Sequence, residues 1–194
     1  MSQVSDSNFV ERLKEKDASA MDELVDAYGG KIYNLAMGML KKEHDAEDIV
    51  QDTFLQVFEK IHTFREEAAL PSWIYRIAIN FCYMKLRKGK RDDYVSIEDY
   101  MPKFEKSGMH ETPVNDWSGM VEDRMLRKEM GGIISENIDK LSEKYKTVLV
   151  LRDVQGFSTE EVADITGMTV AAVKSRLHRA RLFLRDRLSS YYKG

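Results

Sequence analysis

Apolar positions recur at helical steps along most of the chain, and the strict alternation of a half-buried strand is scarce. Phe9, Val10 and Leu13 predict a short helix over 7–16. Met21, Leu24, Val25, Tyr28, Ile32, Leu35, Ala36 and Met39 predict a second over 19–41, each with a core role. Gly29-Gly30 interrupts that run and predicts a kink or a break. In 45–61, Ala46, Ile49, Val50, Thr53, Phe54, Val57, Phe58 and Ile61 share one face. Glu47, Asp48, Gln51, Asp52, Leu55, Gln56 and Glu59 share the other. A polar connection over 62–72 ends where Pro71 or Ser72 can open a helix running to 89, with Ile74, Ile77, Ala78 and Phe81 toward the core. Residues 92–120 lose all period, and their acids sit among Pro102, Gly108 and Pro113, which predicts a flexible acidic linker. Two more amphipathic helices come after it, over 121–137 and 142–153.

The stretch from Ser158 to Arg187 reads as helix, tight turn, helix. Ser158-Thr159-Glu160-Glu161 matches a capping box, Gly167 suits a left-handed helix end, and Thr169 can cap the second helix. Val173, Leu177, Ala180 and Leu184 then form a stripe at helical period. From Thr169 to Lys193 the chain carries Lys174, Arg176, Arg179, Arg181, Arg185, Arg187 and Lys193 against the single acid Asp186. Small residues at the start of the second helix allow close approach to a surface, and the arginines beyond supply phosphate contacts. This is the helix-turn-helix layout, with the second helix in the major groove. The plainer alternative is an amphipathic hairpin with a solvated basic face. The chain is therefore expected to be all-α, in two small helical domains over 1–91 and 121–194 joined by the linker 92–120.

Composition changes this picture only through distribution. A net charge of −3 and a pI of about 5.9 do not point to nucleic acid. The charges are segregated, however. From Glu43 to Glu59 there are acids and no Lys or Arg, whereas from Arg76 to Arg91 there are bases and no acid. Such segregation suits one cationic and one anionic partner. The lone Cys82 excludes an intramolecular disulfide, argues for a reducing compartment, and reads as a small buried hydrophobe beside Phe81 and Tyr83. No apolar run approaches the length of a membrane span and the N-terminus lacks a signal-peptide core, so a cytoplasmic protein is expected.

Two further surfaces carry candidate chemistry. The face with Asp48, Gln51, Asp52, Leu55 and Glu59 is acidic with one apolar anchor, or else an ordinary solvated surface. In 72–89, Trp73, Tyr75, Phe81 and Tyr83 interleave with Arg76, Lys85, Arg87 and Lys88, around Asn80. Unpaired nucleic acid asks for that mixture, because phosphates need positive charge and unstacked bases need a π-surface or a pocket. Asn80 can both donate to and accept from a base edge; its alternative is a cap or a solvated position. Enzymatic chemistry has no support: there is no Gly-rich phosphate loop, no metal-ligand cluster and no plausible triad, and His44, His62, His110 and His178 are scattered. No cofactor is expected.

These motifs, in this order, resemble bacterial sigma factors of the extracytoplasmic-function group of the sigma-70 family, over nearly the whole chain. Ala46-Glu47-Asp48-Ile49-Val50-Gln51-Asp52-Thr53-Phe54 resembles the polymerase-binding helix. Phe64-Arg65 and Trp73-Ile74-Tyr75-Arg76-Ile77-Ala78-Ile79-Asn80 resemble the promoter-melting and −10 segment, with one departure at Pro71-Ser72, where the family more often shows a non-proline pair. Leu141 to Tyr145, Gly156 to Ala163 and Val173 to Arg181 resemble the −35-binding domain. The resemblance implies a region 2 domain that binds the β′ clamp helices of core RNA polymerase through Asp48, Gln51, Asp52, Leu55 and Glu59. The same domain would recognise and melt the −10 element through Phe64, Arg65, Trp73, Arg76, Asn80, Lys85, Arg87 and Lys88. It implies a region 4 domain that reads the −35 element through Thr169, Lys174, Ser175, Arg176, His178, Arg179 and Arg181 and meets the β flap. It implies also a stress-response setting, an anti-sigma partner and no direct membrane insertion. The rival is a helix-turn-helix regulator that binds promoter DNA without becoming a polymerase subunit.

Overall fold

The computed structural model describes residues 7–65, 69–88 and 124–191, and the expected linker 92–120 lies outside them. Eight α-helices are present among the described residues: α1 (Ser7–Lys14), α2 (Ala18–Leu40), α3 (Glu43–Lys60), α4 (Leu70–Lys88), α5 (Arg124–Asp139), α6 (Glu143–Leu149), α7 (Thr159–Thr166) and α8 (Val170–Tyr191). No strand occurs among them. A 3-10 turn, Ile61–Thr63, comes after α3, and a π-helical turn, Val150–Val154, after α6. The chain divides into two compact units, one drawing on Met1–Arg91 and Thr147–Lys174, the other on Asp92–Lys146 and Ser175–Gly194.

In the first unit α2, α3 and α4 pack on one another in pairs. Leu24, Ile32, Leu35, Met39, Ile49, Val57, Ile74 and Ala78 are buried between them, each at a position the helical period assigns to the inner face. Asp17 starts α2: its Oδ1 accepts from the Ala20 N–H at 3.0 Å, satisfying an orphan donor of the first turn. The pair Gly29-Gly30 does not break the helix: α2 runs as one element from Ala18 to Leu40. Flanking burial of Tyr28 and Ile32 outweighs the modest cost of two glycines, about 1 kcal/mol each relative to alanine. Two assumed core positions also turn outward. Val25 is 40% exposed and Phe58 38% exposed.

α4 begins at Leu70, so Pro71 sits in the first turn, where a missing N–H costs no intrahelical bond. Against α4 lies α7. Tyr75 is buried there, its ring edge-on to Phe157 at 4.6 Å and to Tyr28 at 6.4 Å. The Tyr83 hydroxyl and Thr147 Oγ1 are hydrogen-bonded at 2.8 Å. Gly38 permits a close approach in the same unit, since a Cβ there would stand 3.0 Å from Val150 Cγ1.

In the second unit Ile138, Leu141, Leu177, Ala180, Leu182 and Phe183 are buried. Phe183, rather than the expected Leu184, continues the stripe after Ala180. Lys146 is buried as well, and its ammonium is held by Asp139 Oδ1 at 2.9 Å, as a buried charge requires.

Candidate functional site

The acidic helix comes first. α3 opens with Glu43 and Asp45 in its first turn, where negative charge is favoured by the helix dipole. Its inner face is filled by Ala46, Ile49, Thr53, Phe54 and Val57. The buried Thr53 hydroxyl returns its bond to the Ile49 carbonyl at 2.6 Å. Glu47, Val50, Gln51, Phe54, Leu55 and Phe58 fall at steps of three and four, and with Met21, Val25, Gly29 and Tyr33 of α2 they line an open apolar groove of about 590 Å³. Leu55 is 53% exposed at its lip. Asp48, Asp52 and Glu59, at steps of four and seven, form the adjoining stripe of the same helix.

Of the expected core-binding residues, Gln51 and Leu55 therefore line the groove, while Asp48, Asp52 and Glu59 flank it. Sequence reasoning missed the contribution of α2, because Met21 and Val25 read as core positions, Gly29 as part of a helix interruption, and Tyr33 was not singled out. The Phe58 ring also carries the Lys16 ammonium at 4.7 Å from its centroid.

The expected −10 residues divide into three groups. Arg65, Arg76, Asn80, Arg87 and Lys88 are exposed. Arg76 and Asn80 lie one turn apart on α4, and Arg76 Nη2 donates to the Asp164 carbonyl of α7. Phe64 is buried and its ring packs on Trp73, 5.4 Å between centroids, so it anchors the turn before α4 rather than standing free in solvent. Lys85 is half-buried: its Nζ donates to Asp48 Oδ2 at 2.7 Å and to Asp45 Oδ1 at 3.0 Å. Hydrogen bonding to Asp48 and then Asp45 raises the Lys85 pKa, and the same bond lowers that of Asp48. Asp45 was not singled out from sequence, since a partner 40 positions away leaves no periodic trace. Cys82 is fully buried, and burial pushes its thiol up to about 12, which fits an inert small hydrophobe.

The helix-turn-helix is built from its caps. The Ser158 hydroxyl accepts from the Glu161 N–H at 3.1 Å, and the Glu161 carboxylate accepts from the Ser158 N–H at 2.7 Å. Gly167 ends α7 at φ +68°, and the Thr169 hydroxyl accepts from the Ala172 N–H at 3.2 Å to start α8. Val162, Ile165, Val173 and Leu177 are buried. Thr169, Lys174, Ser175, His178 and Arg181 are exposed, and Arg176 and Arg179 are half-buried. The face α8 presents is small near Ala171 and Ala172 and basic beyond, as a groove-reading helix requires.

Among the described residues no helix is long and apolar enough to cross a membrane, and no cluster of His, Cys, Asp and Glu has the geometry to hold a metal.

Comparison with known proteins assigns both halves. Residues 24–92 match the model for Sigma-70 region 2, and residues 132–184 match that for Sigma-70, region 4. The ECF RNA polymerase sigma factor SigW of Bacillus subtilis is 35% identical over 179 residues, covering 92% of this chain and 94% of its own. The ECF RNA polymerase sigma-E factor of Haemophilus influenzae is 32% identical over 187 residues, covering 96% of each. The fold is shared with CnrH, solved in complex with the cytosolic domain of CnrY, at a TM-score of 0.69 and 22% identity over 96% of this chain and 98% of that one. With both sigma-70 regions matched in order and these relatives aligned over nearly its whole length, the chain belongs to the extracytoplasmic-function group of RNA polymerase sigma factors.

Proposed function

We propose that α3 and α2 together form the surface that docks this sigma factor on core polymerase, and that the groove about Leu55 is the observation that carries this reading. An apolar groove of about 590 Å³ accepts one face of a helix, and the β′ clamp helices are the family's ligand for this segment. Leu55 and Phe58 supply apolar anchors, and the flanking Asp48, Asp52 and Glu59 select a basic partner and orient it. The −10 element is read by α4, with Asn80 and Arg76 toward an extruded base and Arg87 and Lys88 along the phosphates. α8 reads the −35 element through Lys174, Ser175, His178 and Arg179, and the same domain meets the β flap. Residues 1–91 and 121–194 act as the two functional domains. The protein works in the cytoplasm as an initiation factor without chemistry of its own. An anti-sigma protein holds it inactive. In support, one solved neighbour, the RpoE sigma factor of Bartonella quintana, was crystallised with the anti-sigma factor NepR; it has a TM-score of 0.59 at 23% identity.

The test is co-purification. Asp52→Lys with Leu55→Ala changes only half-buried and exposed side chains, so the helical circular-dichroism signal and melting temperature should hold while core polymerase no longer co-elutes. Undiminished co-elution would remove the assignment.

A further inference from the structure

Lys85 is a cation on the promoter-facing helix that the chain's own acids already occupy. Its Nζ lies 2.7 Å from Asp48 Oδ2 and 3.0 Å from Asp45 Oδ1. Two carboxylates face one ammonium, so the cluster keeps a residual negative charge. Lys42 stands 4.0 Å from Asp45 Oδ2, but its side chain is 77% exposed and offsets little. The three side chains are 31%, 26% and 35% exposed for Lys85, Asp45 and Asp48. Each member can therefore regain water or a new partner, unlike a fully buried pair, where loss of one charge strands the other.

Position gives this exchange a consequence. Lys88, exposed, lies three residues beyond Lys85 and so on the same side of α4, which brings a strand held by Lys88 past Lys85 and its two carboxylates. Asp48 belongs at the same time to the acidic stripe beside the groove. One carboxylate thus serves two clients on two helices.

We propose that Asp45, Asp48 and Lys85 form an exchangeable ion cluster that couples polymerase binding to promoter binding: a cationic group of core takes Asp48, and Lys85 is released to a DNA phosphate. The proposal rests on the core-docking reading of α3. In the free chain Lys85 is silent toward DNA and the carboxylates repel the strand. In the holoenzyme the same lysine is a phosphate contact. Linkage makes the coupling reciprocal, so a phosphate on Lys85 strengthens the hold of core on Asp48.

The experiment is a mutant cycle on the free, full-length protein. Binding to a fluorescent, mixed-sequence single-stranded oligonucleotide is followed by anisotropy across a salt series. The proteins are wild type, Lys85→Ala, Asp45→Asn with Asp48→Asn, and the triple variant. Lys85→Ala alone should change affinity less than about twofold, because the lysine is already engaged. The paired asparagines should tighten binding by roughly three- to tenfold at low salt and steepen the log–log salt slope by about 0.7, the signature of one more phosphate contact on a single strand. Adding Lys85→Ala to that pair should abolish the gain. If the gain survives without Lys85, only repulsion was relieved; if there is no gain, Lys85 is a fixed strut. Either result overturns the proposal. Should the asparagine pair melt below the assay temperature, Asp48→Asn with and without Lys85→Ala is judged by the same criteria. In a second arm, holoenzyme carrying Lys85→Ala should bind a pre-melted fork about three- to tenfold more weakly than wild type. An effect no larger than in the free chain also overturns the proposal. Failure of the docking reading itself is seen separately, in the co-purification of Asp52→Lys with Leu55→Ala.

Discussion

Individual side chains here do unlike jobs that their types do not disclose. Asp17 and Asp48 are both half-buried acids, yet one caps a helix and the other bridges two. The Ala20 N–H, followed by the Ser19 hydroxyl, holds the Asp17 carboxyl at about 2, below its ordinary 3.8. A depressed carboxyl stabilises the fold above its unfolded value and loses that contribution as pH falls through the folded one. Wild type should therefore outlast Asp17→Asn in thermal melts at pH 6, with the gap closing between about pH 4 and pH 2. Asparagine keeps the capping oxygen, so the comparison isolates the charge. A gap independent of pH over that window would mean the carboxylate charge contributes nothing. Lys85 and Phe64 carry the same lesson: a basic and an aromatic residue in the segment proposed to bind nucleic acid are engaged, respectively, by Asp48 and Trp73.

Among the elements, helix ends were the most legible feature and helix interiors less so. The capping box at Ser158, the left-handed Gly167 and the Thr169 cap involve partners within a few residues, so local chemistry decides them. The fate of Gly29-Gly30 was not local. Packing of Tyr28 and Ile32 keeps α2 continuous where propensity argued for a break. The two glycine sites should therefore respond in opposite directions. Gly30 is helical and a Cβ there meets nothing within 4 Å, so Gly30→Ala should stabilise by about 0.5–1 kcal/mol. Gly167 sits at φ +68°, so Gly167→Ala should destabilise by about 1–2 kcal/mol. Urea midpoints of the two variants against wild type check the signs; a loss at Gly30 would mean that the bend potential of α2 is needed.

At the scale of the whole molecule the proposed division of labour puts core docking on α2 and α3, the −10 element on α4 and the −35 element on α8, and promoter opening is where it can be tested most directly. Extruding a base costs a few kcal/mol and must be offset by a surface that accepts it. Asn80 and Arg76 are exposed one turn apart on α4. Asn80→Ala should impair permanganate reactivity of a duplex −10 element, be rescued on a template already melted there, and leave core association intact. Equal losses on both templates would instead place Asn80 in binding or folding. The sequence by itself determined the helices, the caps, the segregated charges and the three motif blocks, because each is written in residues a turn or two apart. Tertiary structure decided which faces those helices share. It turned Val25 and Phe58 outward into a groove with Leu55 and paired Lys85 with Asp48 across 37 positions. It also seated Tyr75 on Phe157. Period assigns a residue to a side of its own helix, but only the neighbouring helix determines whether that side is covered, open or charged.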